Sequence, residues 1–178
     1  MPMLKQIRAL GACLALAAAL GAHASEPAPD MPKAGDMAPL IIGKTAADDV
    51  VDISQYKGKV VVISFWATWC AYCLKELPIL ENIQKAGGDQ IQVVAINTEP
   101  WDVFRQVRKG LKGLNMSLIY DPSKAGQKAY RVSGIPHMVI IGRDGRIIEV
   151  HRGYGESSLD GIVDNINEAL RTGAAPQG

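Results

Sequence analysis

The chain has 178 residues, of which 48% are hydrophobic and 21% are charged, and its formal net charge is +1. This length suits one domain plus a targeting segment, and the balance is that of an ordinary globular protein. Two of the basic residues, Lys5 and Arg8, lie in the first 24 residues, which contain no acid. Without that segment the net charge is near −1, which gives no support for nucleic-acid binding.

The first 24 residues have the three parts of a secretory signal peptide. The basic residues form the charged start, residues 9–20 form the apolar stretch, and residues 22–24 (Ala-His-Ala) match the small-x-small cleavage pattern. We predict cleavage after Ala24 and a periplasmic mature chain. The alternative is an uncleaved signal that anchors the protein in the membrane, although the apolar stretch is short against the roughly 20 residues of a spanning helix.

Signal removal also takes away Cys13 and leaves Cys70 and Cys73 as the cysteines of the mature chain. Two cysteines cannot make a disulfide framework. A disulfide between them would close a very short loop and would stabilise the fold little. The pair therefore indicates a catalytic rather than a structural disulfide.

The start of the mature chain predicts a linker and a small N-terminal strand pair. Residues 25–34 are rich in Pro and Ala, which is typical of a linker. The folded domain is predicted over residues 35–172, with a disordered tail at 173–178. Within the domain, short strands are expected at 40–42 and 50–53, followed by one helical turn over 54–59.

The centre of the chain predicts a buried strand followed by a helix that begins at the cysteines. An apolar, β-branched run starts at Val60, and leucines and an isoleucine then recur at helical spacing to about Ala86. A helix N-terminus presents unpaired N–H groups and the positive end of the macrodipole, so we expect a lowered pKa for Cys70. A thiolate beside a second thiol is the apparatus of thiol–disulfide exchange.

The second half of the chain predicts further strands and helices. Residues 91–96 form an apolar strand, which gives a βαβ unit and a parallel strand pair. The helix over 101–113 has a basic face, which is either solvated or a docking patch for an acidic partner. We expect a strand at 118–120 and then a helix from 121–123 to about Tyr130, capped by Asp121 or Ser123. A hairpin of 138–141 with 146–150 follows. The last helix is expected over 158–171, and the residues that it buries are Leu159, Ile162, Val163, Ile166 and Leu170.

This pattern resembles the thioredoxin superfamily, specifically the exported TlpA/ResA-like branch, over roughly residues 35–170. The resemblance implies an α/β fold with a central mixed sheet flanked by helices, an N-terminal strand extension and an added helix within 100–117. The residues that carry it are Gly35-Asp36 with Pro39, Gly58-Lys59, Phe65 to Cys70, Cys73, Glu76 with Pro78, Ile135-Pro136 and Asp144-Gly145.

The resemblance also implies how a client protein would be held. The Ile135–Pro136 peptide would be cis and would face the disulfide, and the backbone of Ile135 would pair with an extended client segment. The alternative is that Pro136 only starts an edge strand. Trp69, Ala71 and Tyr72 surround the first cysteine in the sequence and are predicted to contact the client.

Ser64 and Glu76 mark a departure from thioredoxin. Ser64 stands in the buried strand where thioredoxin has an acid, and it cannot exchange a proton at neutral pH. Glu76 lies three residues after Cys73 on the same side of a helix. In the TlpA/ResA-like branch an acid at this place lies near the cysteines, so the resemblance implies that Glu76 relays the proton of Cys73. Burial and like charge should raise its pKa. The alternative is a solvated helix residue.

Two further positions bear on the redox potential. Residues 71–72 lack the proline that many reductant members carry before the second cysteine, which leaves the direction of electron flow open. His137 follows Pro136, and a protonated ring near the cysteines would favour thiolate and make the protein more oxidising. The alternative for His137 is a strand-end histidine with its hydrogen bonds satisfied.

The leading functional prediction is a periplasmic disulfide reductase that acts on protein clients, for example in cytochrome c maturation or metal-site assembly. Cys70 would attack a client disulfide and Cys73 would resolve the mixed disulfide. The resemblance implies a membrane thiol donor of the DsbD/CcdA type, and we expect a monomer without cofactor or resident metal. The alternatives are a disulfide oxidant or isomerase on the same fold, and a Cu(I) metallochaperone that uses the two cysteines assisted by His137.

Overall fold

The computed structural model describes residues 31–153 and 155–172, so the predicted signal peptide, most of the predicted linker and the tail lie outside the described residues. Within this part the chain forms strands, α-helices and two short 3₁₀ helices. In chain order the strands and α-helices are β1 (Ile41–Lys44), β2 (Val50–Asp52), β3 (Val60–Trp66), α1 (Ala71–Gly87), β4 (Ile91–Asn97), α2 (Trp101–Gly110), β5 (Ser117–Tyr120), α3 (Ala125–Ala129), β6 (His137–Ile141), β7 (Ile147–Arg152) and α4 (Glu156–Thr172).

The strands form one seven-stranded mixed sheet in the order β2-β1-β5-β4-β3-β6-β7. The strands β3, β4 and β5 run parallel to one another. On one side of them β6 pairs antiparallel with β3, and β7 pairs antiparallel with β6. On the other side the β1–β2 hairpin pairs antiparallel with β5. The thioredoxin-like α/β fold predicted from the sequence, with its N-terminal strand extension and its added helix α2, is confirmed.

Strand β3 lies inside the sheet and is buried along its whole length because both of its faces are covered. One face belongs to an apolar cluster that contains both cysteines and the inner residues of α1 and α4; we call it the cysteine cluster. The other face belongs to a second cluster with Phe65 and Tyr130, which we call the Phe65 cluster. Alternate residues of β3 therefore point into different clusters, of which one contains the cysteines and the other does not.

Helices α2 and α4 differ in detail from their predictions. Helix α2 ends at Gly110 rather than 113, because the N–H of Leu111 bonds to the carbonyl of Arg108 and Gly113 adopts a φ of +93°. In α4, Ile162 and Ile166 are buried as predicted, but Val163 is 45% exposed. The side chain of Leu159 lies outside the described residues.

Helix α3 is shorter than predicted and is capped differently. It begins after Lys124, which adopts a left-handed φ of +56° and offers no side-chain cap. The Asp121 carboxylate instead accepts a hydrogen bond from the backbone N–H of Gln127 at 2.8 Å, from a position before the cap. Asp121 thus satisfies a helix N–H as expected, whereas Ser123 does not cap the helix. Among residues 31–153 and 155–172, no helix combines the length and apolar character needed to cross a membrane.

Candidate active site

The two cysteines form a disulfide at the N-terminus of α1. Cys70 is the N-cap residue, and its sulfur accepts a hydrogen bond from the backbone N–H of Cys73 at 3.2 Å. A turn closed by the Cys70 N–H and the Ala67 carbonyl, at 3.1 Å, delivers the chain from β3 to this position. Cys73 is completely buried and Cys70 is 7% exposed, so Cys70 is the sulfur that lies nearer to solvent.

Glu76 is buried one helical turn beyond Cys73 and is hydrogen-bonded to the central strand. It is 3% exposed, and its Oε2 accepts a hydrogen bond from the Ser64 hydroxyl at 2.9 Å. Desolvation raises the pKa of Glu76 to about 7, although the Ser64 hydrogen bond acts in the opposite direction. The alternative of a solvated helix residue is therefore wrong, and Ser64 contributes to the site by supporting Glu76.

The loop before β6 holds the predicted cis proline. The Ile135–Pro136 peptide bond is cis. Ile135 is partly buried and packs against the cysteine cluster. Within the described part of the chain, the backbone N–H and C=O of Ile135 make no hydrogen bond, whereas the Pro136 carbonyl accepts one from the N–H of Gly153 at 2.9 Å.

An exposed aromatic surface borders the disulfide. Trp69 is 72% exposed and Tyr72 is 55% exposed, and Ala71 between the cysteines is also exposed. Lys75 lies over the Tyr72 ring, with its Nζ 5.6 Å from the ring centroid. The structure therefore places three of the four residues predicted to contact a client beside Cys70. We call Trp69, Ala71 and Tyr72 the aromatic rim.

His137 lies on the opposite face of the sheet from α1. It pairs with Phe65 across β6 and β3, and the two rings meet edge to face with centroids 5.8 Å apart. It is 1% exposed, and desolvation, followed by the charge of Arg152, lowers its pKa to about 4. The arrangement does not support a protonated ring beside the cysteines, and neither ring nitrogen has a hydrogen-bond partner among the described residues.

A second carboxylate near the active site was missed by the sequence analysis. Glu99 follows β4, and its carboxylate accepts hydrogen bonds from Thr68 N at 2.6 Å, Thr68 Oγ1 at 2.8 Å and Asn97 Nδ2 at 3.1 Å. Because β3 and β4 run parallel, their C-terminal ends lie side by side at the same end of the sheet. The signal in the sequence that could have identified Glu99 is an acidic residue shortly after the end of a buried strand. Within the described residues, no group of three or more His, Cys, Asp or Glu side chains is placed to hold a metal ion.

Comparison with known proteins decides the family. The family model described as Redoxin matches residues 33–170. The chain belongs to the Redoxin family. As a Redoxin member it is similar to the thioredoxin-like protein YneN of Bacillus subtilis (strain 168), with 34% identity over 121 residues that cover 67% of this chain and 71% of YneN. It is also similar to the thiol-disulfide oxidoreductase ResA of the same organism, with 29% identity over 134 residues that cover 75% of this chain and 74% of ResA.

Solved structures agree with this placement of the Redoxin chain. A putative thiol:disulfide interchange protein DsbE from Chlorobium tepidum superposes with a TM-score of 0.68 at 27% identity and covers 79% of this chain and 99% of its own. A putative protein disulfide isomerase from Bacteroides thetaiotaomicron gives a TM-score of 0.67 at 32% identity, with 80% and 96% coverage. With the Cys70–Cys73 disulfide, these likenesses make the protein a TlpA/ResA-like thiol-disulfide oxidoreductase of the thioredoxin superfamily, as the sequence predicted.

Proposed function

We propose that this oxidoreductase works as a periplasmic reductase that opens disulfide bonds of exported client proteins. The observation that carries the direction is the burial of Glu76 one turn from Cys73, with its raised pKa. A carboxylate at that place opposes thiolate formation by like charge. A less stable thiolate makes the reduced form give up its electrons more readily, in contrast to strong oxidants whose reduced form is stabilised.

The position of His137 supports the same direction. A cationic imidazole at the cysteines would stabilise thiolate and would favour an oxidant. His137 instead faces the Phe65 cluster, and burial keeps its ring neutral at physiological pH. Its predicted tuning role thus has no geometric support, and His137 takes no part in the proposed reaction.

The proposed reaction moves two electrons from the dithiol to the client. The Cys70 thiolate attacks one sulfur of the client disulfide; that bond breaks, a mixed disulfide forms, and the first client thiolate takes a proton from water. Cys73 then gives its thiol proton to Glu76 and attacks the Cys70 sulfur. The Cys70–Cys73 disulfide forms, the second client thiolate leaves, and it receives the proton held by Glu76.

The surroundings of Cys70 support a protein rather than a small molecule as the substrate. The aromatic rim offers exposed apolar area beside the reactive sulfur, as is common where one protein docks on another. The backbone of Ile135 in the cis-proline loop, which has no hydrogen-bond partner among the described residues, suits hydrogen bonding to an extended client segment. In this proposal, Pro136 shapes the loop that presents Ile135.

The cellular setting is proposed from the sequence and from the resemblance. Signal cleavage after Ala24 would release the enzyme into the periplasm, and an uncleaved signal would anchor it there. A membrane thiol donor of the DsbD/CcdA type would reduce the Cys70–Cys73 disulfide after each turnover. Apocytochrome c or a protein with a cysteine-containing metal site would be the client, and the enzyme would act as a monomer.

The reduction potential of the Cys70/Cys73 pair tests the direction. We expect a value at or below about −270 mV, the range of thioredoxin, in equilibrium with dithiothreitol or glutathione buffers. Glu76→Gln removes the carboxylate and should raise the potential. A value near −120 mV would overturn the reductive direction in favour of disulfide formation.

Trapping tests the roles of the two sulfurs. Cys73→Ser should accumulate mixed disulfides with clients, because the second step then lacks its nucleophile. Cys70→Ser should form none, since it removes the attacking sulfur. Mass spectrometry of material isolated from the periplasm identifies the trapped clients, and equal trapping by both variants would contradict the assignment.

A further inference from the structure

We propose that Glu99 is a positioning residue that fixes the loop carrying Trp69 and thereby sets how well a protein client docks beside Cys70. The inference rests on the proposed client-binding role of the aromatic rim. It concerns a residue that takes no part in the electron transfer itself.

The Glu99 carboxylate is tied to the active-site loop by a closed hydrogen-bond network. Its Oε1 accepts from the Thr68 hydroxyl at 2.8 Å, and its Oε2 accepts from the Thr68 N–H at 2.6 Å and from the Asn97 amide at 3.1 Å. The Asn97 Oδ1 in turn accepts from the Glu99 N–H at 3.0 Å. Hydrogen bonds to an ionised acceptor are the stronger kind, so these contacts hold Thr68 firmly against the end of β4.

Thr68 lies in the turn between β3 and α1, so the Glu99 hydrogen bonds fix the position of that turn. It is the second residue of the turn in which the Cys70 N–H bonds to the Ala67 carbonyl. Thr98 strengthens the same junction, because its N–H and hydroxyl both donate to the Trp66 carbonyl, at 3.0 and 3.2 Å. The hydrogen bonds from β4 therefore hold the middle of the loop between β3 and α1, while the buried Ala67 and Cys70 anchor its two ends.

Cys70 and Trp69 differ in what holds them. Cys70 is fixed by α1, because its carbonyl accepts from the Leu74 N–H at 3.1 Å, its sulfur accepts from the Cys73 N–H, and it is buried. Trp69 is 72% exposed and immediately follows the residue that Glu99 holds. Loss of the Glu99 contacts should thus free Trp69 more than it disturbs the Cys70 sulfur.

The experiment measures the rate constants at which two different disulfides oxidise the reduced protein in single-turnover reactions. One is a synthetic peptide with a Cys-x-x-Cys-His disulfide flanked by extended segments, and the other is the small disulfide 5,5′-dithiobis(2-nitrobenzoic acid). In Glu99→Ala the ratio of the peptide rate constant to the small-disulfide rate constant should fall about fivefold or more, the effect expected for losing hydrogen bonds to a charged group. Thr68→Val should lower the ratio similarly, and Thr68→Ser, which keeps the hydroxyl, should restore it.

A double-variant cycle shows whether Glu99 acts through Trp69. Trp69→Ala should lower the ratio by itself, and addition of Glu99→Ala should lower it no further, because coupled residues are not additive. If the ratio in the double variant falls by the product of the two separate decreases, Glu99 and Trp69 act independently and the inference is overturned. An unchanged ratio in Glu99→Ala, or equal losses in Thr68→Val and Thr68→Ser, would also overturn it.

Glu81 provides a matched control elsewhere on the protein. Its buried carboxylate also clamps a loop, with hydrogen bonds from Asn115 N at 2.9 Å, Asn115 Nδ2 at 2.8 Å and Met116 N at 3.2 Å. Glu81→Ala, which removes the acceptor in the same way as Glu99→Ala, should lower stability and leave the ratio as in the wild type. If it lowers the ratio as Glu99→Ala does, general destabilisation explains the effect and the inference fails. If the wild-type protein reacts with the small disulfide but not with the peptide, the proposed function fails, and the docking role of Glu99 fails with it.

Discussion

The buried Glu76 makes a quantitative prediction about how stability depends on pH. Glu76→Gln keeps the size of the side chain and an oxygen that can accept the Ser64 hydrogen bond, but it removes the ionisable group. In the wild type, the pKa of Glu76 is raised from 4.5 to about 7. Between these two pH values the folded protein holds a proton that the unfolded chain has already released.

The sign and the size follow from this difference in bound protons. The wild type should lose stability as pH rises from 4.5 through about 7, because ionising Glu76 costs more in the folded state. The full difference between the two pKa values corresponds to about 3 kcal/mol of unfolding free energy. The Gln variant lacks this loss, so its stability relative to wild type should increase by that amount across the window.

Urea unfolding of the oxidised protein between pH 4 and 8 measures the effect without interference from thiol titration. The quantity to plot is the unfolding free energy of Glu76→Gln minus that of the wild type, because all other titrating groups cancel in that difference. A difference that stays constant with pH would refute the buried, proton-holding Glu76. It would also remove the basis for Glu76 as the acceptor of the Cys73 proton.

Three further predictions concern His137 on the opposite face of the sheet and two glycines in helices. His137 is kept neutral with a pKa lowered to about 4, so its contribution to stability should be lost as pH falls from 6.5 through that value, and His137→Gln should lack this loss in the same urea series. Gly126→Ala should cost about 1–3 kcal/mol in urea unfolding, because its new Cβ would lie 2.7 Å from the Ile42 carbonyl oxygen. Gly161→Ala should instead stabilise α4 by about 0.5–1 kcal/mol, because no other part of the described chain comes within 4 Å of its new Cβ, apart from the backbone of α4 itself. Three outcomes would contradict these assignments: a Gly126→Ala as stable as the wild type, a Gly161→Ala less stable than the wild type, or a His137→Gln that loses as much stability in acid as the wild type does.

The parts of the fold that could be predicted are those whose signal lies within one segment. The apolar run of β3 and the spacing of leucines in α1 are such signals, and both elements appear where expected. Helix α3 has five residues, which is too short for helical periodicity to show. Its start depends on the left-handed Lys124, a conformation that local propensity does not favour.

The parts of the site that could not be predicted depend on how strands pair. The sequence places His137 next to Pro136, but the pairing of His137 with Phe65 decides that its ring faces away from the cysteines. Strand register has a period of two, so one residue of difference reverses the face. Glu99 meets Thr68 only because β4 lies beside β3, a contact across 31 positions of the chain.

The edges of the sheet have a consequence for an enzyme that handles partly unfolded chains. Exposed edge strands can recruit extended segments and so start aggregation. One edge here is β2, with three residues, and its Asp52 carboxylate is used to cap the following helical turn. The other edge is β7, which carries Glu149 and Arg152 and is followed by a turn at Gly153 with a φ of +79°. A short border at β2 and a charged border at β7 give a client strand little to pair with. Among the described residues, the cis-proline loop is then the place where an extended client would add itself in the proposed mechanism, which would protect the enzyme from joining the aggregates of its own substrates.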